Sequence, residues 1–245
     1  MQGMKPTLVF SLITVPDVAG LRRLHALPVE LSAEEVVEFA YQRRRANGLG
    51  DTLPPHLHRV VHIAGVLSDG HQLQYVTLDG DETNILESFY ELLGTVACAV
   101  EWSRLAGDGV QLAQPILNSR SLLLQLAGAP QVPVLDLARL LASPHAPGEL
   151  PLQEMAMLAH LPLCQEADPV TVWQAFQAGD LVSMEAGNTV RALTVYQLWV
   201  RYCLLQGEFD RPDCLAALAS LRQILQRSSI TCLRTYLADW SAAAD

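Results

Sequence analysis

The stretch RVVHIAGVLSDGHQLQYVTL, residues 59–78, limits the fold more than any other part of the chain. Two apolar runs rich in β-branched residues flank Ser-Asp-Gly-His. Asp69-Gly70 is a dipeptide that accepts the positive φ of a tight hairpin turn. An antiparallel pair is therefore expected here. On either side the pattern alternates between strand and helix. A hairpin inside such an alternation cannot belong to an all-parallel sheet, so the chain reads as α/β, with a mixed sheet covered by helices.

The other elements follow from local chemistry. TLVFSLITVPD, residues 7–17, opens with a buried strand over 7–13 that stops at Pro16. Ser32-Ala-Glu-Glu35 is a capping box, and its helix runs to Asn47-Gly48. Thr83 or Asn84 can cap a helix whose apolar face holds Ile85, Leu86, Phe89, Leu92 and Leu93. Residues 97–102 read as a strand, AGDG (106–109) as a loop, 115–127 as a helix and VPVLDL (132–137) as a short strand. From there the chain turns helical. Asp168-Pro169 begins a helix that Gly179 closes, a long helix ends at Gly207, and helices near 211–227 and 231–241 follow. Residues 1–245 are read as a single domain.

Composition narrows the function classes. The formal net charge is −10, and of the 16 basic residues only Lys5 is a lysine. An acidic surface repels a phosphate backbone, whose binding relies on Lys and Arg. The one basic run, Arg43-Arg44-Arg45, reads as the solvated end of a helix, where cations suit the dipole. Five cysteines (98, 164, 203, 214 and 232) form no C-x-x-C pair, which fits a reducing compartment rather than a disulfide framework. No secretory leader or membrane span is apparent, so a cytoplasmic protein is expected.

Candidate motifs are weak when taken singly. In His56-x-His58-x-x-x-His62, the last two share a strand face but lie roughly 13 Å apart along it. That is too far for ligands of one zinc ion, so ordinary surface or satisfied histidines are expected. AGDG lacks the Lys and Ser/Thr of a phosphate-binding loop, and no G-x-S-x-G elbow occurs. The four tryptophans, 102, 173, 199 and 240, sit in apolar segments, and most of them read as core.

Longer words carry a resemblance. VFSLITVPD, LPPHLHRVVHIAGVL, PLQEMAMLAHLP and VWQAFQAGDLVSMEAGNTVRALTVYQLWVRYCLLQGEF occur in this order. Together they resemble a bacterial family of predicted 3′–5′ exonucleases related to the proofreading domain of family B DNA polymerases. The resemblance implies a ribonuclease-H-like sheet within the DEDD exonuclease superfamily, followed by a helical C-terminal part. It also implies two-metal phosphodiester hydrolysis with Mg²⁺ or Mn²⁺ held by four carboxylates.

Carried over residue by residue, those carboxylates are missing. The family's first Asp falls on Ser11 and the Glu two residues later on Ile13. The second-motif Asp falls on Ala113 when LAQPIL is matched to the family's F-D-x-P-x-L. The last motif's Tyr falls on Gly187 and its Asp on Arg191, four residues apart on one helix face. Such a site is expected to have lost its metals, leaving a catalytically inactive, exonuclease-like protein without cofactor. It would act by binding, most simply to a protein partner or to itself. One alternative is a non-cleaving nucleic-acid or nucleotide binder that uses Arg191 and Ser11 in the old cleft. The other is a nuclease with relocated metal ligands, for which Asp17, Asp108 and Asp136 are the nearest acids. Asp17 and Asp136 have counterparts beside the family's catalytic set, which favours structural roles for them.

Overall fold

The structure is a computed structural model that describes residues 5–50, 52–69, 72–106, 109–111, 113–142, 150–162 and 168–243. The first strand, β1 (Thr7–Pro16), is buried along almost its whole length. It pairs antiparallel with β2 (His58–Ser68), which pairs antiparallel with β3 (Leu73–Leu78). On its other side β1 runs parallel to β4 (Cys98–Glu101), and β4 runs parallel to β7 (Val134–Asp136). The sheet order is β3-β2-β1-β4-β7, with the hairpin at one edge and β1 at the centre. This is the mixed, helix-flanked sheet expected from the sequence, in a ribonuclease-H-like arrangement.

Alternation along β1 divides the core between the two faces. Leu8, Phe10 and Leu12 pack with α3 (Glu82–Leu93) and α4 (Ala113–Leu123) through Ile85, Phe89 and Ile116. Val9 faces the opposite way. It joins Val66, Val100 and the inner side of α8 (Leu181–Leu205), with α9 (Arg211–Arg227) and α10 (Thr231–Ala243) behind it. Ile13 and Val15, farther along that face, meet α1 (Val18–His25), α2 (Ala33–Ala46) and α7 (Pro169–Gln177). Short helices α5 (Leu137–Leu141) and α6 (Leu152–Leu158) complete the helical layer. All four tryptophans are buried, where core positions were expected for most of them.

Several local readings hold in detail. Ser32 and Glu35 form a reciprocal capping box. Arg43, Arg44 and Arg45 lie in the last turn of α2, and Asp168 caps α7 with Pro169 in its first turn. Gly179 takes φ 73°, the left-handed geometry of a helix stop. The hairpin is closed by Asp69, whose carboxylate accepts the Gln72 N–H at 2.7 Å; Gly70 lies outside the described residues.

Other readings change. Helix α3 is capped by Asp81, whose carboxylate accepts the Thr83 N–H, and not by Thr83 or Asn84. Helix α1, unforeseen from the sequence, follows β1 directly because the Asp17 carboxylate accepts the Gly20 N–H. Where a loop was expected near 106–109, β5 (Arg104–Ala106) pairs antiparallel with β6 (Gly109–Gln111). Gly107, Asp108 and Cys164 lie outside the described residues. The β1–β2 register shifts between Ile13 and Thr14, where Val61 is the extra residue on β2. That shift corrects the expectation that His58 and His62 share a face. His62 meets Asn188 of α8, whereas His58 lies 3.2 Å from Thr14 Oγ1, on the other side of β1.

Candidate functional site

Of the residues singled out in the sequence, Ser11 and Arg191 join α8 to β1 and to the end of β4, Ala113 begins α4 against Glu101, Ile13 faces α2 and α7, and Gly187 is exposed. Helix α8 crosses the β1 face that carries the odd-numbered side chains, because its apolar residues Leu193, Tyr196 and Val200 are buried against that face. One turn earlier, α8 presents polar groups to the same strand. Ser11 is buried, and its hydroxyl donates to Asn188 Oδ1 at 2.7 Å. Asn188 Nδ2 donates in return to the Ser11 carbonyl at 2.9 Å and to His62 Nδ1 at 3.0 Å. His62 Nε2 lies 2.9 Å from Thr77 Oγ1. A ring nitrogen that accepts from an amide carries no proton, so this imidazole is neutral. Burial pushes its pKa down to about 4.

Ile13, two residues on, is 4% exposed and sits among Val36, Val37, Trp173 and Met184. A branched apolar side chain thus fills the place that the resemblance gives to a metal-binding Glu. Gly187, in contrast, is exposed, and a Cβ added there would meet nothing within 4 Å.

Arg191 is the only charged member of the set. It is 2% exposed, and its Nη2 donates to the Trp102 carbonyl at 2.8 Å, with the Ser103 carbonyl at 3.4 Å. Those carbonyls lie just beyond the end of β4, so the guanidinium ties α8 to that strand. Glu101, the last residue of β4, is buried as well. Its Oε2 accepts the Ala113 N–H at 2.9 Å, at the start of α4. Burial raises its pKa to about 7. The N–H groups of Ala113 and Gln114 and the charge of Arg191 pull the other way, and Asp136 adds to the rise. Asp136 stands opposite Glu101 in the β4–β7 register.

These residues do not fit a pair of hard cations. Such ions need several oxygen ligands, mostly carboxylates. Ser11, Ile13, Ala113, Gly187 and Arg191 include none. The buried acid beside Ala113, Glu101, is committed to the α4 N-terminus, and the Arg191 guanidinium acts on it from the same neighbourhood. Among the described residues no three His, Cys, Asp or Glu side chains are grouped to hold a metal ion. His58 is engaged on both nitrogens, by Thr14 and by the Leu53 carbonyl at 3.0 Å.

The stand-in acids have structural partners. Asp17 caps α1 and receives Arg120 Nη1 at 2.6 Å, while Arg120 binds Glu82 through two further contacts of 2.8 and 2.6 Å. Asp136 caps α5 and accepts the Ser103 N–H at 3.1 Å. Its Oδ2 is buried without a hydrogen-bond partner among the described residues, 3.9 Å from Arg139 Nε. Ser11 and Arg191, expected as binding residues, both turn inward onto the partners named above.

Sequence reasoning missed Asn188, Glu101, His62 in this role and the Trp102 carbonyl. Asn188 left one signal, a carboxamide inside a long and largely buried helix. Glu101 left none, since an acid after an apolar strand is unremarkable until α4 is seen to start against it.

The fold defines a class, an α/β protein with a helix-flanked mixed sheet of the ribonuclease-H-like kind. Residues 129–242 match the model of a family described as a predicted 3′–5′ exonuclease related to the exonuclease domain of PolB. The matched stretch runs through α6–α10 and includes Gly187 and Arg191, so the likeness read from the sequence holds over this part. No curated protein gives a significant match to the chain. Among the described residues no helix is long and apolar enough to cross a membrane.

Proposed function

We propose that this is an exonuclease-like protein that does not cut nucleic acid and works by binding, most simply to a protein partner. One observation carries the reading. At the position the resemblance gives to a metal-binding Asp, Arg191 is buried and donates to a main-chain carbonyl. A cation fixed there repels Mg²⁺ or Mn²⁺, and a buried charge already paired is costly to move. Ile13, packed among apolar side chains, supports the same conclusion from the β1 side.

The non-cleaving nucleic-acid binder is the weaker reading. It needs Arg191 and Ser11 to face a ligand, and both side chains are spent internally. The net charge of −10 also opposes polynucleotide binding. The test is incubation of the pure chain with end-labelled single-stranded DNA and RNA in Mg²⁺ or Mn²⁺. No shortening from the 3′ end is expected beyond that of a mock preparation. Metal-dependent trimming that copurifies with the chain would overturn the proposal.

A further inference from the structure

A groove of about 620 Å³ runs between α2 and α7, and its floor residues Val37 and Trp173 belong to the cluster that buries Ile13. Its size lies within the range that holds a drug-sized ligand or a short piece of chain. Val37 and Trp173 line it from the buried side, and Phe39 and Val170 stand exposed at its rim. The α2 wall carries Glu34, Glu35 and Glu38, whereas α7 (PVTVWQAFQ) brings no charge of its own. We propose that this groove docks an arginine-bearing segment of a partner polypeptide.

Two observations select that occupant. First, the wall is acidic and partly uncommitted. Glu34 has no partner among the described residues. Glu35 is held by the capping box, and Glu38 Oε1 accepts from Arg45 at 3.0 Å and from Gln42 at 2.9 Å, exposed contacts that an incoming guanidinium can replace. Second, Trp173 and Tyr41 give the groove aromatic surface, which favours a planar cation with an apolar stem. A planar guanidinium lies flat on such aromatic surface, whereas the strongly hydrated ammonium groups of a polyamine do not, so the groove matches an arginine-bearing polypeptide better than a simple cation.

The proposal gives a location to the partner invoked above and rests on that reading only for the existence of a partner. An active nuclease could carry the same groove, so binding and cleavage are scored separately. The test is calorimetric titration of the full chain with a capped hexa-arginine peptide at about 50 mM salt. One-to-one binding is expected. It should weaken by about fivefold or more in Glu34→Gln/Glu38→Gln and in Trp173→Phe. Glu87→Gln/Glu91→Gln, which removes the same charge from exposed positions on α3, should change it by less than about twofold. Spermine should bind at least about fivefold more weakly than the peptide. Absence of saturable peptide binding, equal weakening in the α3 variant, or spermine binding as tight as the peptide would each overturn the proposal.

Discussion

Arg191 shapes its surroundings because it is buried and its guanidinium is bound to the Trp102 carbonyl. Replacing it by methionine keeps most of the volume but leaves the Trp102 carbonyl without its 2.8 Å donor and removes the cation that opposes the rise at Glu101. Arg191→Met should lose about 2–4 kcal/mol in urea unfolding. Glu101 and His62 should impose opposite pH slopes. Glu101 is raised from 4.5 to about 7, so the native state keeps a proton that the unfolded chain releases, and its contribution to stability is lost as pH rises through that window. His62 is lowered from 6.5 to about 4, so the unfolded chain takes a proton that the native state refuses, and stability is lost as pH falls through that window. Unfolding midpoints measured across pH should therefore show that Glu101→Gln abolishes the decline toward neutral pH. His62→Gln should flatten the acid limb. An unchanged profile in either variant would contradict the assignment of that slope.

Elements are joined by a few buried polar links. Arg120 of α4 reaches Asp17 at the start of α1 and Glu82 of α3, and Glu82 also accepts the Val60 N–H of β2 at 2.7 Å. Arg120→Met leaves two acids without their buried cation and should cost about 3–5 kcal/mol by denaturant unfolding. On β2, a Cβ at Gly65 would lie 2.9 Å from the Val9 carbonyl. Gly65→Ala should cost about 1–3 kcal/mol, since main chain has to move to admit it. Elements specified by adjacent residues were legible in the sequence: the hairpin from its turn, α2 from Ser32 and Glu35, α7 from Asp168-Pro169. Helix α1 was not. Its cap, Asp17, directly follows a strand that ends in proline, and its partner Arg120 lies 103 residues away. Nor could the extra residue at Val61 be read, because a bulge is visible only against the partner strand. That one residue sends His58 and His62 to opposite faces.

For the molecule as a whole, the sheet order was foreshadowed by a hairpin within an α/β alternation, and α8 by its long apolar pattern. The site was legible only as a set of absences. Ser11, Ile13, Ala113, Gly187 and Arg191 carry meaning through their likeness to a family whose acids stand there. What took the acids' place was invisible, since Asn188 meets Ser11 across 177 positions and Glu101 meets Arg191 only once α8 lies against β4. The central claim is that this junction is neutralised by protein groups and no longer by metal ions. Calorimetric titration with Mn²⁺ at neutral pH tests it most directly. The account predicts no saturable uptake by the wild-type chain. Uptake of about two equivalents, as a two-metal site requires, that is abolished by Asp136→Ala or Glu101→Ala would contradict it.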